Sequence, residues 1–274
     1  MKKLLRKIKN NLFPHPKISS VEIPVFKGEL LKGKTALIIG GSGGIGSEIA
    51  KIFVENGCKV VITGTNEAKL QDICHNIGTE MAHYVVADIS RNDEIKRLVN
   101  EAVELSGRID IFVHSAGVHC HDVFGGVTEQ VWDTVMNINL KSVYFSCQEI
   151  SNYMIENHIK GHILIVSSAS SAKPGWTPYE ISKNGVKALT LGFADKLIKH
   201  GIVVNSIAPG PVSTPMLGKN DTSDIAWEGN PTGRMSTPAE IANWALFMVS
   251  DIGNMVVGDT FYISGGSGTI CLDK

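Results

Sequence analysis

The chain has 274 residues, of which 43% are hydrophobic and 19% charged, and its net charge is −1. That is enough apolar material for a substantial core, and without an overall basic excess it does not suggest a nucleic-acid binder, which needs a basic stripe. No apolar run approaches the roughly 20 residues that would span a bilayer.

Cys58, Cys74, Cys120, Cys147 and Cys271 are odd in number and show no C-x-x-C spacing. Free thiols in a reducing compartment are therefore expected rather than a disulfide framework. Met1 to Phe13 has the charge of a signal-peptide n-region but no continuous apolar stretch after it, so the cytoplasm is the expected location.

The charge is uneven. Residues 1–32 carry eight Lys or Arg against two Glu, leaving −7 on the other 242 residues. This sets off a basic extension, 1–32, from a single domain, 33–274. Leu4, Leu5, Ile8 and Leu12 share one helical face among Lys2, Lys3, Arg6, Lys7 and Lys9, a pattern that suits a weak membrane-surface contact through residues 1–13, a disordered arm or a segment that docks on a sister subunit. Pro14 and Pro16 stop that helix early.

Thr35 to Ile39 reads as a strand, followed by Gly40-Gly41-Ser42-Gly43-Gly44-Ile45-Gly46 and then a helical pattern through Ile49, Ala50, Phe53 and Val54. Strand, glycine turn and helix form the setting of a phosphate-binding loop: glycines admit close backbone approach, and the helix N-terminus offers free N–H groups. Two glycine templates fit, one on Gly41, Gly43 and Gly46 and one on Gly40, Gly44 and Gly46. A P-loop does not fit, because no Lys-Ser/Thr follows the last glycine.

Lys59 to Thr63 is a second strand, ending in Thr63-Gly64-Thr65-Asn66 with no acid before Glu67. An acid there would bind the ribose 2′-hydroxyl of NAD, so small polar donors favour NADP, although no Arg stands there to clamp a 2′-phosphate. The pattern repeats in strands at Met81 to Ala87, ending in Asp88-Ile89, and at Ile109 to Val113, ending in His114-Ser115-Ala116-Gly117. Between them a helix from about Asn92 to Leu105 presents Ile95, Leu98, Val99 and Ala102.

One long helix with Trp132, Met136, Leu140 and Val143 carries Asn137 and Asn139. A fifth strand, Gly161 to Val166, ends at Ser167-Ser168, and a sixth, Gly201 to Ile207, leads to Pro209-Gly210-Pro211-Val212-Ser213-Thr214. A helix at Ala239 to Val249 and a strand at Thr260 to Ile263 close the unit. Alternating strands and helices imply an α/β fold: a doubly wound, Rossmann-type parallel sheet of seven strands with helices on both faces. Ligands bind beyond the strand C-terminal ends, where every polar motif above falls.

Tyr179 and Lys183 lie one helical turn apart, which places both side chains on one face of a helix starting there. Bringing a phenol of pKa about 10 to neutrality takes about 4 kcal/mol. A cation at about 4 Å supplies about 1 kcal/mol through bulk water and about 4 kcal/mol at an effective dielectric of about 20. The pair therefore needs a partly dehydrated cleft.

With Asp88, Ala116-Gly117, Asn139, Ser168, Tyr179, Lys183 and Pro209-Gly210 with Thr214 in this order, the chain from Leu31 to Gly266 resembles the short-chain dehydrogenase/reductase family in its compact single-domain form. The resemblance implies an NAD(P)-dependent oxidoreductase interconverting a ketone and a secondary alcohol, with Tyr179 as acid or base. It implies that Lys183 lowers the phenol pKa and holds the nicotinamide ribose, that Ser168 binds the substrate oxygen, and that Asn139 helps hold a water behind Lys183. It places the cofactor, NADP preferred or NAD, on Gly40, Ser42, Gly43, Gly44, Ile45, Gly46, Thr65, Asn66, Asp88, Ile89, Ala116, Gly117, Tyr179, Lys183, Pro209, Gly210, Val212 and Thr214. A homotetramer or homodimer is implied by analogy, and 3-oxoacyl thioesters, sugars or polyols are among the substrates it allows.

Three departures stand out. His114-Ser115 replaces the usual Asn-Asn, Ile39 replaces a threonine, and the Ser168-to-Tyr179 interval is eleven residues, two fewer than usual. His119-Cys120-His121-Asp122 reads as loop polarity or substrate contact rather than a metal site, since the hydride chemistry of the family needs no metal. A segment from Met216 to Arg234, with Trp227 as its large aromatic, is expected to cover the substrate. The competing readings are a non-catalytic dinucleotide-binding regulator and a nucleotide-sugar-modifying enzyme, the latter disfavoured because only 95 residues follow Tyr179.

Overall fold

The computed structural model describes residues 18, 28–120, 123–219 and 224–270. The lipid-facing pattern expected in residues 1–13, like His121, Asp122 and Cys271, lies outside the described residues. Seven strands form the sheet: β1 (Thr35–Ile39), β2 (Lys59–Gly64), β3 (Ala82–Val86), β4 (Ile111–His114), β5 (His162–Val166), β6 (Val203–Pro209) and β7 (Thr260–Ile263). They are all parallel in the order β3-β2-β1-β4-β5-β6-β7. β1, β4 and most of β2, β5 and β6 are buried, as expected for strands covered on both faces.

The helices are α1 (Gly44–Glu55), α2 (Glu67–Ile77), α3 (Asn92–Ser106), α4 (Glu129–Met136), α5 (Ser142–Glu156), α6 (Pro178–Leu197) and α7 (Pro238–Val249). One face of the sheet packs Ile49 and Phe53 of α1, Leu70 of α2 and Ile241 and Leu246 of α7. The other packs Leu98 of α3, Cys147 and Ile150 of α5 and Val186 of α6. Leu31, at the edge of the basic extension, is only 1% exposed and belongs to the first of these cores, so the chain is anchored to the domain by that residue.

Strand ends match expectation or shift by one or two residues. β6 shifts by two at each end and runs on to Pro209 because Ala208 and Pro209 pair with Tyr262 and Ile263. The expected long helix is present as α4 and α5, which run on through a π turn at Asn137–Lys141 with the backbone right-handed throughout. Such single turns concentrate at functional sites because the extra residue re-aims its neighbours. Here Ser142 donates from Oγ to the Ile138 carbonyl at 2.6 Å, and the Asn139 amide bridges the Val118 backbone, accepting from its N–H and donating to its C=O at 2.8 Å each. Trp132, expected on the buried face, is 40% exposed.

Strand order reverses between β1 and β4, and the crevice at such a point is where ligands bind. The two loops meet there. Gly40 has φ +77°, and a Cβ on it would lie 2.5 Å from the Ala116 N, so only glycine fits. Gly40→Ala should cost about 2 kcal/mol or more in urea unfolding and abolish dinucleotide binding. Gly33→Ala is the control: it has φ +75° but open space around it, so it should cost about 1 kcal/mol and leave binding intact. Equal losses in the two variants would show that the contact with Ala116 is unimportant.

Candidate active site

The capping box at the start of α6 sets the position of Tyr179. Thr177 accepts from the Glu180 N–H and the Glu180 carboxylate accepts from the Thr177 N–H, with Pro178 at the first helical position. Tyr179 and Lys183 therefore fall in the first two turns, as their spacing predicts. Burial raises the phenol pKa, a hydrogen bond with the Ser168 hydroxyl lowers it, and nearby Cys120 adds a smaller upward push. The Lys183 Nζ is 5.9 Å from the phenol ring centroid and donates to the Val166 carbonyl at 3.2 Å. In this geometry, without a bound dinucleotide or substrate, burial is the largest influence on the phenol and shifts it upward. A protonated phenol is the form that can deliver a proton.

Lys183 is 4% exposed, and burial pushes its pKa down to about 8. The groups around it are polar but neutral. A Cβ on Gly117 would lie 3.6 Å from Nζ and 3.3 Å from the Asn139 Oδ1, so glycine leaves the ammonium room. Asn139 Nδ2 donates to Ser182 Oγ at 3.4 Å, and Ser182 Oγ donates to the Tyr179 carbonyl at 2.7 Å. Asn139 thus ties the loop after β4 to the first turn of α6.

His114, the departure at the end of β4, supports the same assembly. Its Nε2 is 3.2 Å from Ser142 Oγ. Because the hydroxyl proton of Ser142 is engaged by the Ile138 carbonyl, Ser142 can only accept from His114, which requires the Nε2–H tautomer. Burial, and then the charge of Lys183, push the imidazole down to about 3, so it adds no second positive charge. Sequence reading singled out His114 as an anomaly and missed its partner Ser142, because no spacing rule links residues 28 apart across a π turn.

Ser168 ends β5 and caps the 3₁₀ turn Ala169–Ala172, accepting from the Ser170 N–H at 3.1 Å. Its own proton remains available for Tyr179 or a substrate oxygen. Ser171 Oγ instead donates to the Ser168 carbonyl at 2.8 Å, and Ser167 Oγ is buried with no partner. The short interval between Ser168 and Tyr179 leaves room for this turn and still brings both residues to one cavity.

Ser168 and Tyr179 share the wall of a 220 Å³ cavity with Ile45, Pro209, Gly210, Val212 and Thr214. A Cβ on Gly44 would lie 2.9 Å from Thr214 Cγ2, so the loops after β1 and β6 close on each other there. Met216, Leu217 and Trp227 from the expected covering segment also line it. In that segment Ile225 donates its N–H to the Ile18 carbonyl at 3.1 Å, so a residue of the basic extension touches the cover.

The residues expected to hold a dinucleotide fit one. α1 starts at Gly43-Gly44 with no side-chain cap and no acid in its first turn, leaving its N-terminal charge for an anion. A Cβ on Gly46 would lie 2.3 Å from the Gly40 carbonyl, and one on Gly64 would lie 2.5 Å from Ser42 Oγ. Thr65, Asn66 and Asp88 are exposed at the ends of β2 and β3, with Ile89 beside them, away from the cavity. Asn66 Oδ1 caps α2 by accepting from the Lys69 N–H, and Asp88 Oδ1 accepts from the Ser90 N–H. Asn139, Lys183, Ala116 and Gly117 lie beneath or beside the cavity rather than in its wall.

His119 lines the cavity, its ring centroid 4.5 Å from that of Tyr179 and its plane tilted by 48°. Among the described residues no group of three His, Cys, Asp or Glu side chains could hold a metal.

The sequence profile described as enoyl-(acyl carrier protein) reductase matches residues 40–268. The chain belongs to the short-chain dehydrogenase/reductase family. Within the family it is 33% identical over 241 residues to a (2S)-[(R)-hydroxy(phenyl)methyl]succinyl-CoA dehydrogenase subunit of Thauera aromatica, covering 86% of this chain and 97% of the relative. It is 34% identical over 243 residues to a 3-oxoacyl-[acyl-carrier-protein] reductase of Thermotoga maritima, covering 86% and 98%. The structure matches that of a 3-ketoacyl-(acyl-carrier-protein) reductase from Brucella melitensis complexed with NADH at a TM-score of 0.80 and 29% identity, covering 88% of this chain and all of the other.

The buried ammonium makes a pH prediction. Lys183 has a folded pKa of about 8, below its usual 10.5, so between those values the unfolded chain binds a proton the folded one does not. Stability should therefore rise with pH across that window, and the cost at lower pH is about 3 kcal/mol. Urea unfolding of wild type and Lys183→Met should show the variant's relative advantage shrinking by about that much from pH 8 to pH 10.5. A constant difference would mean that Lys183 is not dehydrated.

Proposed function

We propose that the protein is an NAD(P)-dependent oxidoreductase that interconverts a ketone and a secondary alcohol. The observation that carries this reading is that Ser168 and Tyr179 line one cavity together with Ile45 of the glycine loop and with Pro209, Gly210, Val212 and Thr214. When bound, the dinucleotide supplies or accepts a hydride.

The chain's own residues do the rest. Ser168 orients the substrate oxygen with its free proton. Tyr179 passes its phenolic proton to that oxygen in reduction and takes it back in oxidation. The Lys183 ammonium behind Gly117 stabilises the phenolate that follows, and it replenishes the proton through the polar groups around Asn139. His114 and Ser142 position Asn139 through the π turn.

Neutral donors at Thr65 and Asn66 favour NADP(H) over NAD(H), since the Glu67 carboxylate is engaged by the Tyr84 hydroxyl at 3.2 Å. Asp88, Ile89, Ala116 and Gly117 complete the binding path. The domain from residue 33 is one catalytic unit, with residues 1–32 as an extension that reaches its cover through Ile18. No described helix is long and apolar enough to cross a membrane. Cys58, Cys74 and Cys147 are buried free thiols, which supports placement in a reducing compartment such as the cytoplasm.

An apolar groove of 860 Å³ lined by Leu140, Tyr144, Leu189 and Phe193 is the face on which a second copy of the chain would dock. This supports a homodimer or homotetramer. Phe193→Asp should shift the particle mass in light scattering toward the monomer, and an unchanged mass would place the interface elsewhere.

A panel of ketones and secondary alcohols followed at 340 nm with both dinucleotides tests the reaction. Tyr179→Phe should reduce turnover by a hundredfold or more. Ser168→Ala should fall severely and Ser170→Ala mildly. Parent rates in Tyr179→Phe, or a collapse in Ser170→Ala alone, would overturn the assignment.

A further inference from the structure

The cavity wall carries a charge that this chemistry does not use. Lys173 lines the cavity with Ser168, Ser170 and His119, and no Asp or Glu is among the described residues that line it. Among the described residues Lys173 makes no ion pair. The Glu180 carboxylate feels its charge but is occupied by the Trp176 N–H, the Thr177 N–H and the Thr177 hydroxyl, at 3.1 to 3.2 Å.

Lys173 is exposed, and its backbone is fixed. Its N–H donates to the Ser170 carbonyl at 3.2 Å, and its own carbonyl accepts from Asn184 Nδ2 at 3.4 Å. Its stem lies across Gly268, where an added Cβ would come within 2.5 Å of Lys173 Cε. The shortened link between Ser168 and Tyr179 passes through this residue, so the same turn that sets the reacting hydroxyls brings a cation to the cavity.

We propose that Lys173 is a specificity residue that recognises a carboxylate on the substrate, so that the carbonyl compound reduced or formed here is a short oxo acid or hydroxy acid. One ammonium matches one negative charge, whereas a phosphate monoester carries about 1.5 to 2 and would be left largely uncompensated. The 220 Å³ of the cavity falls below the roughly 300–1,000 Å³ usual for drug-sized ligands, which favours a small molecule. An ammonium at a cavity mouth also steers an anion toward it, an effect that salt weakens.

This inference rests on the oxidoreductase reading, and the test separates the two. Rates with 3-oxobutanoate and 4-oxopentanoate are compared with rates for their methyl esters, in wild type, Lys173→Met and Lys173→Arg. Binding of the acids to dinucleotide-loaded protein is measured in parallel by calorimetry, including in Tyr179→Phe. In wild type the acid should exceed its ester in kcat/KM by tenfold or more. Lys173→Met should cut that ratio at least tenfold through KM, Lys173→Arg should largely restore it, and added salt should raise KM for the acid alone.

An acid-to-ester ratio near one in wild type, or one unmoved in Lys173→Met, overturns the inference. So does a rise in the dinucleotide KM that accompanies equal losses for acid and ester, because Lys173 would then be serving the cofactor. If no ketone turns over, calorimetry decides: acid binding lost in Lys173→Met but kept in Tyr179→Phe sustains the anion site while the oxidoreductase reading fails. Absent or unaltered acid binding overturns the anion site as well.

Discussion

A buried ammonium that has no carboxylate partner among the described residues is the constraint around which this site is built. Lys183 is 4% exposed and its direct partner is the Val166 carbonyl. A charge so placed is tolerated only where dipoles replace water. The sheet end provides them: the β5 carbonyl, the Asn139 amide beyond Gly117, and a neutral rather than charged imidazole at His114. The cost of holding that lysine dry is what makes it ready to respond when a negative charge develops on the neighbouring phenol.

The surrounding framework serves to keep these groups in register. β1 and β4 separate at the point where strand order reverses, and the loops after them pack so closely that Gly40 has no room for a side chain. The π turn lies within the long helix formed by α4 and α5, and the extra residue points Asn139 back at Val118. The Thr177–Glu180 capping box does the corresponding job for α6, starting it where Tyr179 and Lys183 must stand. Three local devices, a glycine contact, a π turn and a helix cap, therefore converge on one small volume.

Polarity is divided across that volume. The floor is neutral and hydrogen-bonded, one wall is closed by Thr214 and the segment with Leu217 and Trp227, and the remaining wall presents Lys173 beside Ser170. Substrate orientation follows from this division: an oxygen faces Ser168 and Tyr179, while a negative group faces the cation.

The sequence by itself determined the alternation of strands and helices, because a fully buried parallel sheet demands short apolar runs and its crossovers demand amphipathic helices. It also determined the glycine loop and the i, i+4 pair, since these depend on contacts local in the chain. Only the tertiary structure decided how the phenol and the ammonium interact: burial raises the one and lowers the other, and burial is a property of the whole fold. It alone joined His114 to Ser142, put a π turn into the long helix at Asn137, and brought Lys173 to the cavity and against Gly268. Those contacts link residues 28 to 95 positions apart, or depend on a carbonyl that only three-dimensional packing leaves in reach, and no periodicity encodes them.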